Sequence, residues 1–215
     1  MRIKHIRFGR RRAGVPRDAF QEAWIRHHAP MMAKKTQAER YYQVSFSTVA
    51  RESDTPFHHA VVLWYRDYDH WQRAYAAPPP LEGDPTVPLS DRRGGLLLVT
   101  TEHVLVDGPE TLATSSWYLR PAPPDAFIGG ELPLAWQREA EVLMRDVQSP
   151  PVRFVTSIVN DPAPDATYVA LTEVGWPTET VRTSGEQSRV VRELLSGSTL
   201  LHPAQPVTVI RGPAQ

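Results

Sequence analysis

Phe20-Gln21-Glu22-Ala23-Trp24-Ile25-Arg26-His27-His28-Ala29-Pro30 is the stretch on which the reading of this 215-residue chain turns. Phe20, Trp24, His27 or His28, and Met31 recur at steps of three and four, which is one face of a helix. Pro16 opens that helix, because a proline costs no hydrogen bond in a first turn. Asp18 adds negative charge at the positive end of the helix dipole. Pro30 must kink the helix or break and restart it. Successive helical residues are ~100° apart, so at most one of His27 and His28 looks inward.

Outward from this helix the periodicity changes. Ile3 to Phe8 is a short β-rich run before Gly9 and the basic turn Arg10 to Gly14. Arg40 to Val49 alternates and is aromatic and β-branched, and His58 to Tyr65 follows after a polar loop. Asp67 to Ala77 reads as a second helix, ended by Pro78-Pro79-Pro80. The Pro-, Gly- and Asp-rich run to Gly95 is about 17 residues, a length expected of lids or disordered segments. Leu96 to Val106 is a fourth strand. The order β-α-β-β-α-β is the ferredoxin-like arrangement. It recurs as strand 116–119, helix 132–147, strands 152–159 and 167–173, helix 178–195 and strand 206–210.

The expected fold class is therefore α+β: two tandem ferredoxin-like βαββαβ units packed as an intramolecular dimeric α+β barrel. One unit would span 1–108 and carry the site. The other, 115–215, would be a degenerate copy completing the barrel. Each sheet has helices on one face only, so the two open apolar faces can close on each other.

Composition narrows the function. Equal numbers of basic and acidic residues, 24 each, give no global case for nucleic acid or an anionic membrane. No stretch approaches the ~18 apolar residues of a membrane span. There is no cysteine, which removes disulfides, thiolate metal sites and cysteine nucleophiles. It fits a cytoplasmic protein. Phosphate loops, dinucleotide fingerprints and His-Glu-x-x-His are absent. The expectation is no metal and no cofactor, with a monomeric pseudo-dimer or a homodimer as the assembly.

The N-terminal half resembles the EthD-like branch of the dimeric α+β-barrel superfamily. The matching residues are Ile3-Lys4-His5-Ile6-Arg7, the turn ending at Gly14, and Phe20…Trp24…His28-Ala29-Pro30. Arg40-Tyr41, Ala60 to Tyr65 and Thr101 to Asp107 follow in the right order. They cover about half of the chain; the C-terminal half matches in element order alone. The superfamily includes polyketide cyclases, isomerases and cofactor-free quinone-forming monooxygenases, with more distant haem binders. His5 and His59 are similar in place to two histidines of olivetolic acid cyclase, which serve there as base and orienting partner.

The resemblance implies a cofactor-independent enzyme acting on an aromatic or polyketide-like small molecule, by acid/base cyclisation, dehydration or isomerisation. His5 or His59 would be the base, and Tyr65 or Arg7 would stabilise enolate charge. His58 and His59 point to opposite faces of a strand, and parity brings Val61, Leu63 and Tyr65 to the face of His59. Trp24 and Phe20 would wall the cavity, being core residues first. The family motif favours His28 over His27, with catalysis competing against a backbone hydrogen bond that pins the kink. His103 fits an architectural role as well as substrate binding. The alternatives are a cofactor-free or haem-assisted monooxygenase of an aromatic substrate, and a non-catalytic binding protein.

Overall fold

The computed structural model describes residues 2–46, 56–76, 82–109, 114–122, 129–204 and 207–210. The chain divides into two compact units, Met1–Leu98 with Gln205–Gln215, and Val99–Ala204. Among the described residues no helix is long and apolar enough to cross a membrane.

The first unit holds β1 (Ile3–Arg11), α1 (Arg17–Ala23), a π-turn (Trp24–His28), α2 (Ala29–Lys35), β2 (Arg40–Ser45), β3 (His59–Tyr65) and α3 (Tyr68–Tyr75). β4 (Ser90–Val106) begins in this unit and ends in the second. The strand order is β4-β1-β3-β2, the ferredoxin-like order, with β9 (Val207–Ile210) outside β2. β1 and β3 run antiparallel with His5 opposite Leu63, Arg7 opposite Val61 and Gly9 opposite His59. Directly paired residues share a face, so this register gathers the strand residues of the site. The other face of β1 is core: Ile6 and Phe8 are fully buried. Lys4 is buried there too, with its ammonium 5.1 Å from the centre of the Trp64 ring, a cation–π contact that offsets part of its desolvation.

The second unit repeats the plan with β5 (Ser115–Arg120), α4 (Leu134–Asp146), β6 (Arg153–Val159), β7 (Ala170–Gly175), α5 (Glu179–Gln187), α6 (Arg189–Leu194) and β8 (Thr199–Leu201). Its order is β8-β5-β7-β6, with the second half of β4 outside β6. Leu143, Phe154, Val174 and Trp176 form its core under α4 and α6.

Several expectations change. The strand expected at 206–210 is not part of the second unit: Val207–Ile210 pairs with β2 of the first, and β8 takes its place beside β5. β4 starts at Ser90, not Leu96, so the expected long loop is shorter by half a strand; its residues 78–81 lie outside the described ones. The glycines at 94 and 95 hid that strand from a propensity reading. The helix expected over 178–195 is two, because Ser188 takes an extended ψ of 145° and its hydroxyl accepts the Val191 N–H, capping the second piece.

Candidate functional site

Pro30 has no N–H to give, and the helix accommodates it by widening. The Ala29 N–H bonds the Trp24 carbonyl five residues back, making one π-turn at Trp24–His28. Such single-turn insertions recur at functional sites. The buried Gln43 side chain reaches from β2 and donates a second hydrogen bond to the same Trp24 carbonyl, at 3.1 Å. The π-turn leaves His27 exposed and sends His28 inward, resolving which of the two faces the interior.

His28 does not pin the kink through the backbone. Its Nδ1–H donates to Oδ2 of Asp84 at 2.6 Å. Asp84 is buried, and accepts from the Thr86 amide at 2.9 Å and the Thr86 hydroxyl at 2.8 Å, an Asx-turn closing on itself. Burial works to raise the Asp84 pKa, but the Thr86 amide, His28 and the Thr86 hydroxyl together hold it below the usual carboxylate range. With Nδ1 committed to the carboxylate, Nε2 of a neutral His28 is left as an acceptor.

Both residues line a cavity of about 140 Å³ in the first unit. From β1 and β3 come His5, Arg7, His59, Val61 and Leu63, all on the shared face, and Trp24 closes the wall from the helix. Phe20 backs this wall, its ring tilted against Trp24 at 6.0 Å and against the His59 ring at 4.8 Å between centres. Arg7 is exposed and lines the cavity, which places it at the mouth.

His5 and His59 share the cavity but not a contact. Gly9, the partner of His59, is four residues along β1 from His5, roughly 13 Å at the rise of a strand. The roles of base and orienting partner are therefore not available to them as a pair. Each is also held neutral. Burial, then the Arg7 charge, lowers His5 from the ordinary value to about 3. Burial, followed by the neighbouring His58, His28 and Arg7, lowers His59 to about 3. His59 Nδ1 is buried with no hydrogen-bond partner. Its ring sits against Gly9 so closely that a Cβ there would lie 2.4 Å from Nε2.

His5 has both ring nitrogens engaged. The Trp71 indole N–H donates to Nδ1 at 3.1 Å, and the Tyr75 hydroxyl lies 3.0 Å from Nε2. Tyr65 is fully buried and donates to the Thr36 carbonyl at 3.1 Å; it does not line the cavity. Tyr75 does. His103 donates from Nε2 to the Gly130 carbonyl at 2.8 Å and is not a lining residue of this cavity, which favours its architectural reading.

Asp84, Trp71 and Tyr75 were missed by sequence reasoning. The signal for Trp71 and Tyr75 was present: they are four apart on one face of α3. Asp84 carried only the Asp-Pro-Thr of a turn, with nothing to join it to His28.

The whole chain shares its fold with solved structures. An anthrone oxidase-like protein matches with a TM-score of 0.57 at 9% identity, over 100% of this chain and 96% of that one. A candidate monooxygenase from Fusobacterium nucleatum subsp. nucleatum matches with a TM-score of 0.56 at 7% identity, over 95% and 93%. No protein-family model matches the chain, and no curated protein does. With the two ferredoxin-like strand orders, these likenesses give the chain the dimeric α+β-barrel fold and nothing finer.

Proposed function

We propose that the cavity binds a small aromatic or polyketide-like molecule, and that His28, oriented by Asp84, removes an acidic C–H or phenol proton from it. The observation that carries this reading is the 2.6 Å His28–Asp84 pair opening on the cavity. A carboxylate on Nδ1 fixes the tautomer that leaves Nε2 basic, and it stabilises the imidazolium formed when the proton arrives. The base thus moves from His5 or His59 to His28. Val61, Leu63 and Trp24 supply an apolar wall for a ring, and Arg7 supplies a cation at the mouth for an anionic substituent. The volume is below the ~300–1,000 Å³ of drug-sized sites, so the occupant is a small ring system or one that protrudes past Arg7.

The anion so formed has two fates. Intramolecular attack gives cyclisation, dehydration or isomerisation, the reaction the sequence put first. Reaction with dioxygen converts a substrate methylene to a carbonyl and releases water. The names of the structural neighbours, an anthrone oxidase-like protein and a candidate monooxygenase, support the second, an oxygenase. The EthD-like branch remains the proposed relationship, on the N-terminal motifs.

The test is oxygen uptake by the purified protein with anthrone or a polyphenol, beside the same incubation without oxygen. Uptake with quinone formation that is lost in His28→Ala supports the oxygenase. Product formed equally without oxygen, and lost in His28→Ala, supports the cyclase or isomerase. Turnover by His28→Ala equal to the native protein would sink the base assignment.

A further inference from the structure

Three histidines line the cavity. His5 has both ring nitrogens engaged, and His28 gives its Nδ1–H to Asp84. His59 differs from both. Its Nδ1 is fully buried without a hydrogen-bond partner, and Nε2 has none among the described residues. Buried polar atoms are nearly always paired, so two unmet ring nitrogens beside a cavity point to a ligand. The ring cannot turn to find a partner within the protein. It packs on Trp24 at 4.7 Å and on Phe20 at 4.8 Å between centres, and its Nε2 edge lies over Gly9, where a Cβ would come within 2.4 Å. Nδ1 is sealed, so the ring meets the cavity through the Nε2 edge, beside Gly9, which also lines it. A neutral imidazole carries one N–H. On Nδ1 that proton would be an orphan donor in a sealed place, and an orphan buried N–H is rarer than an unmet acceptor. The proton therefore belongs on Nε2, facing the cavity.

We infer that His59 donates a hydrogen bond, from Nε2–H, to the ligand oxygen on which negative charge develops as His28 takes the proton. The inference rests on the reading of the cavity as a site for an acidic aromatic, and it narrows the ligand. The occupant is a phenol, or a ring ketone whose carbonyl is conjugated with the carbon that loses the proton. The proton goes to Nε2 of His28, and the electron pair it leaves is drawn onto the oxygen that His59 holds. His59 keeps its own proton throughout. Burial, followed by His58, His28 and Arg7, lowers the ring to about 3, so it is too weak a base to compete for the ligand's proton and stays a neutral donor. Trp24, Phe20 and Gly9 fix the direction of the N–H before the ligand arrives, so no reorganisation is needed as the charge forms.

Binding of 4-nitrophenol, followed by its visible absorption, tests the donor without needing turnover. The native protein is expected to bind the phenolate. His59→Phe keeps an aromatic ring against Trp24 and Phe20 but has no N–H. It is expected to weaken phenolate binding about ten- to hundredfold, the range for a hydrogen bond to a charged group. His59→Gln, whose amide carries an N–H, should recover part of that loss, whereas a role in packing alone would be kept by Phe and lost in Gln. Nitrogen NMR of the native protein is a second readout that needs no variant to fold. His59 should show protonated Nε2 and bare Nδ1, and the Nε2–H signal should shift when 4-nitrophenol is added. Phenolate bound equally by native protein and His59→Phe would overturn the inference, as would weaker binding by His59→Gln than by His59→Phe. So would a proton found on Nδ1, or an Nε2–H signal unmoved by the ligand. A native protein that binds no phenolate would overturn the reading of the cavity and this inference together. The base assignment is judged separately by His28→Ala turnover, since that variant keeps His59 and its bond to the phenolate.

Discussion

His28 Nδ1 and Asp84 Oδ2 stand 2.6 Å apart, although 56 residues separate them in the chain. One comes from a helix widened by a π-turn, the other from a turn before β4. Both line the cavity of the first unit, beside Trp24, Val61 and Leu63.

Asp84→Asn keeps the shape of this pair and removes its charge. The amide can present its N–H₂ to Nδ1 and so select the tautomer with Nε2–H, which cannot accept a proton. The expected result is a loss of about 10²–10⁴ in kcat with KM little changed, the usual worth of a positioned base. Steady-state kinetics on the substrate found by the oxygen-uptake assay check it. An unchanged kcat would show that Asp84 is only a structural anchor for the turn.

Gly9 is small because His59 lies over it. A Cβ would come within 2.4 Å of Nε2 and 2.8 Å of Cε1, and the ring cannot step aside because Phe20 and Trp24 pack on it. Gly9→Ala should cost about 1–3 kcal/mol, as overpacking does. In the double variant with His59→Ala most of that cost should disappear, and a urea-denaturation cycle measures the coupling. Additive effects would contradict the contact.

Acid should weaken the fold through His5 and His59. Both have folded-state pKa values of about 3, below the ~6.5 of an unfolded histidine. Between these values the unfolded chain binds more protons, so stability is complete above pH ~6.5 and is lost as pH falls toward 3. Each histidine contributes a slope of up to about 1.4 kcal/mol per pH unit. Asp84, with its lowered pKa, acts in the same direction at the acid end. Urea midpoints from pH 7.5 to 4.5 should fall, and His5→Asn and His59→Asn should each flatten the curve. An unaltered slope in both variants would mean these rings are not buried neutral.

Gly185 in α5 offers a control in the second unit. A Cβ there would lie 2.5 Å from the Trp176 ring, which is fully buried and donates to Ser116 at 2.9 Å. Gly185→Ala should therefore lower stability by about 1–3 kcal/mol. Because the candidate site lies in the first unit, kcat of the folded protein should stay at the native value. A large fall in kcat at a temperature where the variant is folded would argue that the second unit takes part in the chemistry.

The sequence by itself determined the local features. Periodicity of 3.6 placed the helix through Trp24 and His28, the missing N–H of Pro30 required its irregularity, and the alternating runs gave the first β-α-β-β-α-β unit and all but the last strand of the second. Strand parity put His59, Val61 and Leu63 on one face, and the structure keeps them there opposite Gly9, Arg7 and His5. These are properties of a residue and its near neighbours, which side-chain direction alone decides. Tertiary structure decided everything that depends on closure of the chain. It set the register that puts His59 opposite Gly9, four residues along β1 from His5, and returned β9 to β2. It brought Trp71 and Tyr75 to the two nitrogens of His5, and Asp84 to His28. No periodicity encodes such contacts, because the loops between the partners leave their distance free until the sheet and helices pack. The histidines were legible from the start; which of them is held neutral or locked by hydrogen bonds follows from partners far away in sequence.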